Sequence, residues 1–321
     1  MRRCDDSDYP MLMRYLEQEP VYHTFMTADI ERHGFHKEFQ TVYVQESDEG
    51  CRGIFLKYYN NFIVAGDGET IDFGEVIPLV TDEITTIMGK AELVKGICAG
   101  LERKHVYEQK NLYVLQKKLV QHCVNNSDIA PAIHTGTASA NLAVGTATPS
   151  IRRHASSADI RHSIHGYLRN AVLEVKEDSG VRIAGLSDVD RMYDFLMDIP
   201  QLRPLYFRKD MMENRIRCGE GIHVIMEKEG RIIAHGNSAA STDRTVMLGG
   251  IGVRQDCRRQ GYASVIMERL CVEIQKNHRT PCIFTGDAAS CALCENIGFV
   301  KYGFWGTAQM EAGTAYAGSQ S

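Results

Sequence analysis

An apolar strand that must run through a short basic turn straight into a helix constrains this chain more than any other stretch. The residues are Ile251-Gly252-Val253-Arg254-Gln255-Asp256-Cys257-Arg258-Arg259-Gln260-Gly261-Tyr262-Ala263. Peptide N–H groups at a helix N-terminus have no partner inside the helix, so a small-residue turn can aim several at one anion, helped by the helix dipole. Gly261 lets the backbone approach a ligand closely, and Ala263 keeps the next turn free of bulk. Ala263, Ile266, Met267, Leu270 and Ile274 then fall at helical spacing, one apolar stripe for a core. Glu268, Arg269, Glu273 and Lys276 are expected on the opposite face.

The surroundings predict one α/β unit. Val181 to Ala184 reads as a short strand, and Ser187 stands where it would cap a helix reaching Ile199, with Val189, Met192, Tyr193 and Leu196 on one side. A second helix is expected from about Phe207 to Cys218. Strands Ile222 to Met226 and Arg231 to His235 flank Glu229-Gly230, a two-residue hairpin turn. The strand Thr245 to Val253 contains Gly249-Gly250, and glycine inside a strand marks a bulge or a close backbone approach. Strand Pro281–Gly286, helix Asp287–Ile297 and the exit Gly298-Phe299 follow.

Neither G-x-x-x-x-G-K-[ST] nor a G-x-G-x-x-G between strand and helix occurs, which argues against common nucleotide-binding loops. A net charge of −5 argues against general nucleic-acid binding, and no apolar run is long enough to cross a membrane. Met1-Arg2-Arg3 is followed by Cys4-Asp5-Asp6 and no apolar segment, so no secretory signal is read. With 10 irregularly spaced cysteines, a reducing, cytoplasmic setting is expected. The 321 residues have room for two domains. Residues 1–122 read as a first α/β domain, with helices near Tyr9–Glu19, Thr24–Gly34 and Lys90–Leu101. Its strands are expected at Thr41–Gln45, Gly53–Tyr58, Asn61–Ala65 and Leu112–Leu115. Residues 123–178, rich in small polar residues, read as a flexible linker, 179–307 as the second domain and 308–321 as a disordered tail.

The pattern R-x-x-G-x-A from Arg258 to Ala263 resembles the coenzyme A pyrophosphate loop of the GNAT acyltransferase superfamily. The closing order of strand, helix and Gly298-Phe299 extends the resemblance from Val181 to Gly306. It implies tandem GNAT-like α/β (α+β) domains, each a mixed, mostly antiparallel twisted sheet flanked by helices. It also implies acetyl-CoA as acyl donor, held by Ile251, Gly252, Val253, Arg258, Arg259, Gln260, Gly261, Tyr262, Ala263, Ser264 and Asp287, and no metal. In the family the strand bearing Gly249-Gly250 splays from its neighbour and the pantetheine arm enters the gap. The first half reads as a faded copy of the second, with an acidic hairpin turn, Ser47-Asp48-Glu49-Gly50, matching Glu227-Lys228-Glu229-Gly230. Gly66-Asp67-Gly68-Glu69 puts acid where phosphate needs amides, so the first half is not expected to bind coenzyme A. The plan resembles two-domain bacterial members with a degenerate N-terminal half.

The chemistry implied is direct attack of an amine on the thioester. An alkylamine of pKa about 10.4 is almost wholly protonated at neutral pH, so a base is needed. Thr245 to Val253 carries no carboxylate; Asp243, His235 and Asp198 are candidates by residue type alone. Backbone N–H groups around Ile251 to Val253 are expected to meet the developing oxyanion. In the family a Tyr five residues before the final Phe protonates the leaving thiolate; Cys294 stands there, with Asp287 and Ser290 at two further positions of that motif. Cys294 or Tyr302 is the expected acid. The acceptor surface is expected from Asp194, Asp198, Arg203, Tyr206, Arg208 and residues after Tyr302, and fits a small-molecule amine, an amino acid or a peptide terminus. The first domain either covers that groove or stabilises the second. A homodimer is left open. Two other readings stand beside this one: an acyl-CoA-binding regulatory module without turnover, and a redox protein using Cys291-x-x-Cys294, which no second cysteine pair supports.

Overall fold

A computed structural model describes residues 1–48, 50–116, 119–121, 173–175, 180–206 and 208–311. The first half runs β1 (Arg2–Arg3), α1 (Tyr9–Leu16), α2 (Pro20–His33), β2 (Gln40–Ser47), β3 (Gly50–Tyr58), β4 (Asn61–Gly66), α3 (Phe73–Val76), β5 (Thr86–Lys90), α4 (Ala91–Ala99) and β6 (His105–Leu115). Between the halves, β7 (Leu119–Gln121) and β8 (Leu173–Val175) pair in parallel as a separate two-stranded sheet. The second half repeats the plan: β9 (Val181–Ile183), α5 (Val189–Met197), α6 (Lys209–Arg217), β10 (His223–Lys228), β11 (Arg231–Ser241), β12 (Thr245–Val253), α7 (Tyr262–Lys276), β13 (Thr280–Thr285), α8 (Ala288–Ile297) and β14 (Phe299–Met310). The expected linker lies outside the described residues, apart from β8.

The repetition reaches individual side chains. Arg2 donates to both oxygens of Asp8, at 2.8 and 2.6 Å, and to Glu46 at 2.7 Å, while Asp8 also accepts the Asp5 N–H at 2.9 Å. Arg182 does the same with Asp188 at 2.7 and 2.6 Å and with Glu227 at 2.8 Å, and Asp188 accepts the Gly185 N–H at 2.9 Å. In each half this clamp fixes a short 3-10 turn that leads into the first long helix. Ser187 is therefore not the cap of α5: it lies inside that turn, and the carboxylate that organises the helix entry is Asp188.

Among the described residues twelve strands form one continuous sheet in the order β1-β2-β3-β4-β5-β14-β6-β13-β12-β11-β10-β9. Its centre is an exchange of strands. Strand β14 of the second half lies between β5 and β6 of the first, and β6 of the first half lies between β14 and β13. Residues 308–310, assigned to the tail by composition, continue β14, where Ala308 and Met310 are buried. The junction has its own core, in which Val21, Leu112 and Val114 pack with Ala240, Met247, Cys282 and Trp305.

The helix stripe read from the sequence is buried as expected: Ile266, Met267, Leu270 and Ile274 of α7 join the core of the second half. Glu273, expected on the solvent face, is only 8% exposed. It remains charged-paired there, accepting from Lys276 at 2.8 Å and facing Arg269 at 2.9 Å. The hairpin turn also holds, Glu229 and Gly230 both having positive φ, at 52° and 75°, as the tight turn between β10 and β11 requires.

Candidate acyl-donor loop and acyl-transfer site

Gly261 is the N-cap of α7, in the left-handed region at φ 84°, and a Cβ at that position would meet nothing within 4 Å. Arg259 is also left-handed, at φ 64°. Positive-φ residues alternating with ordinary ones turn successive N–H groups to the same side, a nest for an anion. Ser264 and Val265 direct their N–H groups back to Gly261 O at 3.0 and 3.3 Å, and Arg258 to Gln255 O at 3.5 Å. Between them the N–H groups of Arg259, Gln260, Gly261, Tyr262 and Ala263 meet no acceptor among the described residues. The donor set is thus Arg259 to Ala263; the main-chain N–H groups of Arg258 and Ser264 are engaged inside the turn. The Arg258 side chain donates to Val253 O at 3.1 Å and Tyr262 Oη to Gln260 Oε1 at 3.0 Å, which braces the turn from both sides.

The strand leading into this nest parts from its neighbour. β12 pairs with β13 in parallel only from Thr245 to Met247. β13 continues along β6 through Thr285, and β12 continues along β11 through Val253. Leu248 to Val253, including Ile251, Gly252 and Val253, therefore edge a gap whose mouth opens toward the α7 N-terminus. Opposite Gly236 the β11–β12 register shifts, and Gly250 takes φ 57°, so the strand carries a bulge at the gap. A Cβ on Gly250 would stand 2.0 Å from the Tyr206 hydroxyl oxygen, so this position tolerates only glycine.

Behind the bulge lies a buried polar chain. The Gly250 carbonyl accepts from His235 Nδ1 at 2.9 Å, and His235 Nε2 lies 2.9 Å from His223 Nδ1. Because a carbonyl only accepts, Nδ1 of His235 carries its proton; Nε2 is then the acceptor and His223 Nδ1 the donor. Burial holds His235 neutral, its pKa lowered to about 4, and burial with the help of His235 and Arg215 also holds His223 well below the usual histidine range. Tyr206 Oη donates to Asn237 Oδ1 at 2.7 Å, and its burial pushes the phenol up.

The expected catalytic residues separate. Cys294 is fully buried in the core of the second half, and desolvation pushes its thiol up to about 12. A thiol of that pKa packed among Leu270, Ile297 and Phe299 does not reach a leaving group, so Cys294 is a packing residue and not the acid. Tyr302 lies at a register shift of β14, its ring 5.4 Å from that of Tyr22 in α2, where the two halves meet. Asp287 caps α8, accepting from Ser290 N at 2.9 Å, and the Ser290 hydroxyl together with this N–H keeps its carboxyl below the usual range. Of the three base candidates, Asp198 is paired with Arg254 at 2.7 Å and Asp243 lies in the β11–β12 turn. His235 adjoins the bulge but is enclosed.

One acid of the first half, not assigned to the site from the sequence, has a shifted carboxyl. Asp29 of α2, a helix that rests against β11 and β12, carries a carboxyl that burial raises to about 7 against the opposing pull of Arg215 and Arg32.

The second half thus combines parted strands, a bulge and a nest at the head of the following helix. Residues 189–299 match the Acetyltransferase (GNAT) family, so the second half carries that family's domain. Solved structures share the fold over nearly the full length. A Drosophila protein is 11% identical with a TM-score of 0.55, covering 98% of this chain and 99% of its own. A GCN5-related N-acetyltransferase-like protein from Streptococcus suis is 9% identical with a TM-score of 0.50, covering 94% of this chain and 100% of its own. A GCN5-related N-acetyltransferase from Kribbella flavida is 10% identical with a TM-score of 0.50, covering 92% and 95%. No curated protein matches the chain.

Proposed function

We propose that the protein is an acetyl-CoA-dependent N-acyltransferase that transfers an acyl group to a primary amine by direct attack on the thioester. The observation that carries this reading is the parting of β12 from β13 after Met247, on the same strand that leads to five free N–H groups at the head of α7. The amides from Arg259 to Ala263 would receive the donor's diphosphate, and the edge Leu248 to Val253 its pantetheine arm. The bulge at Gly250 exposes backbone donors where an oxyanion would form. With Cys294 enclosed, the coenzyme A thiolate departs with help from no cysteine; a thiol of pKa about 8.5 is a fair leaving group on its own.

Calorimetry with acetyl-CoA, followed by thiol release against an amine panel, tests the proposal. Wild type is expected to bind, and Gly261→Glu to weaken binding at least about a hundredfold. That variant strains φ 84°, fills open space and adds charge repelled by the diphosphate. Binding without turnover of any amine would favour the regulatory-module reading instead. Absence of binding would remove both.

A further inference from the structure

We propose that His235 is a positioning residue for acyl transfer, aiming the Ile251 N–H at the thioester oxygen through its own hydrogen bond to the Gly250 carbonyl. The inference rests on the acyl-donor reading above and adds to it what directs the oxyanion donor. His235 stands on β11, and its Nδ1 lies 2.9 Å from Gly250 O on β12. In a trans peptide the carbonyl and the following N–H share one plane and point opposite ways. A Gly250 carbonyl turned toward β11 therefore turns the Ile251 N–H to the other side of β12. The alternation of the strand agrees. The Arg254 N–H bonds to Ile233 O of β11 at 2.9 Å, so the Gly252 N–H also faces β11, and those of Val253 and Ile251 face away. That side is the edge β13 has left, because β12 pairs with β13 only from Thr245 to Met247.

A side chain is needed here because a bulged residue loses its place in the ladder. The β11–β12 register slips between His235 and Asn237, and Gly250 leaves the extended region at φ 57°. The imidazole replaces the missing ladder partner with a ring that cannot swing away. His235 is fully buried, and the rings of Phe195 and Tyr206 lie against it at centroid distances of 6.2 and 6.3 Å. Its far nitrogen is taken too, Nε2 lying 2.9 Å from His223 Nδ1. With both nitrogens engaged, the ring has one tautomer and one orientation. Gly250 is also stopped at its Cα, where a Cβ would stand 2.0 Å from the Tyr206 hydroxyl and 2.5 Å from Asn237 Oδ1. Asn237 Nδ2 donates to Ser238 O at 3.2 Å, which leaves Oδ1 to accept from Tyr206 at 2.7 Å. One buried pair thus holds the bulge at its carbonyl and another at its Cα.

No proton changes owner along this chain of hydrogen bonds. When the free amine attacks, the C–N bond forms and the carbonyl electron pair moves onto oxygen, where the Ile251 N–H meets it. The pair returns as the C–S bond breaks; sulfur leaves as thiolate with the bonding electrons, and the proton shed by nitrogen passes to water. A peptide already bonded at its carbonyl is polarised, so its N–H donates more strongly than that of a free one. The arrangement requires neutral rings, since a protonated His235 would set N–H against N–H at His223, and burial keeps both neutral. Donor binding rests on the nest and the gap edge, so loss of His235 is felt in kcat and not in acetyl-CoA affinity.

The test uses the full chain and acetyl-CoA labelled with carbon-13 at the thioester carbonyl. His235→Leu removes the donor, and His235→Asn puts an amide N–H near the place of Nδ1. Calorimetry should give the same acetyl-CoA affinity for both variants as for wild type. The infrared carbonyl stretch of the bound thioester should lie lower in wild type and His235→Asn than in His235→Leu. With the amine of the panel that wild type turns over fastest, His235→Leu should lower kcat by about 10–10² with KM for acetyl-CoA little changed. His235→Asn should recover most of that loss. Where no amine is turned over, the carbonyl stretch decides alone. Nitrogen-15 NMR of wild type, which needs no folded Leu variant, should place the His235 proton on Nδ1. The proposal is overturned if that proton sits on Nε2, if the bound thioester has the same carbonyl stretch in His235→Leu as in wild type, or if the Leu and Asn variants lose kcat equally. Failure of wild type to bind acetyl-CoA overturns the acyl-donor reading, and this proposal with it.

Discussion

Single residues at the gap are held by what they cannot do. Cys294 occupies the position from which the family's Tyr protonates the leaving group, but it points into the core. Cys294→Ala is expected to leave the rate of thiol release unchanged and to lower stability by about 1–2 kcal/mol through the small cavity it opens. His23 and His235 are buried neutral with pKa lowered to about 4, His23 donating from Nδ1 to Leu16 O at 2.9 Å and His235 to Gly250 O. The unfolded chain, with ordinary histidine pKa near 6.5, binds more protons than the fold below that pH. Stability from these residues is therefore full above about 6.5 and is lost as pH falls toward 4, at about 1.4 kcal/mol per pH unit for each. Denaturant midpoints measured from pH 7 to 5 should fall accordingly. A flat profile would mean that these rings are not enclosed in solution.

At the scale of elements, the two halves differ where the donor would bind. α7 is fifteen residues long, but its counterpart α3 is the single turn Phe73–Val76, whose head is filled by the Asp72 side chain accepting from Gly74 N at 2.9 Å. The parallel pairing of β4 with β5 continues from Asn61 to Val64, nearly the length of β4, so the first half has little gap to offer. Asp72→Ala should cost about 1 kcal/mol of stability and leave acetyl-CoA affinity unaltered, as measured by thermal melts and calorimetry. The sequence made α7, the nest and the β10–β11 hairpin legible because each is a local pattern of stripe, cap or turn. It missed β5, a short strand interrupted by Gly89, and ended β6 too tightly at Leu112–Leu115, since His105 to Lys110 lack the apolar alternation of a half-buried strand. Asp29 was illegible for another reason. Its carboxyl is raised by burial and pulled back by Arg215, which is 186 positions away, and no local pattern encodes such a meeting.

The whole molecule is joined more deeply than a two-domain reading implies. β14 pairs along its length with β6, from Phe299 against Leu115 to Met310 against His105, and β6 also supplies the partner of β13 through Asn111 to Val114. Without the first half, β13 and β14 would each lose a neighbouring ladder, and the junction core around Trp305 would be opened to water. The second half is therefore not a free-standing unit to which a cover was added. A fragment of residues 179–321 expressed alone should be insoluble or lack a cooperative melt, and should bind no acetyl-CoA. Co-expression with residues 1–122 should restore one complex, read by size-exclusion chromatography and circular dichroism, with binding recovered, because the exchanged strands carry their registers in their own sequences. If the isolated fragment instead melts cooperatively and binds acetyl-CoA as the full chain does, the exchange of strands is dispensable.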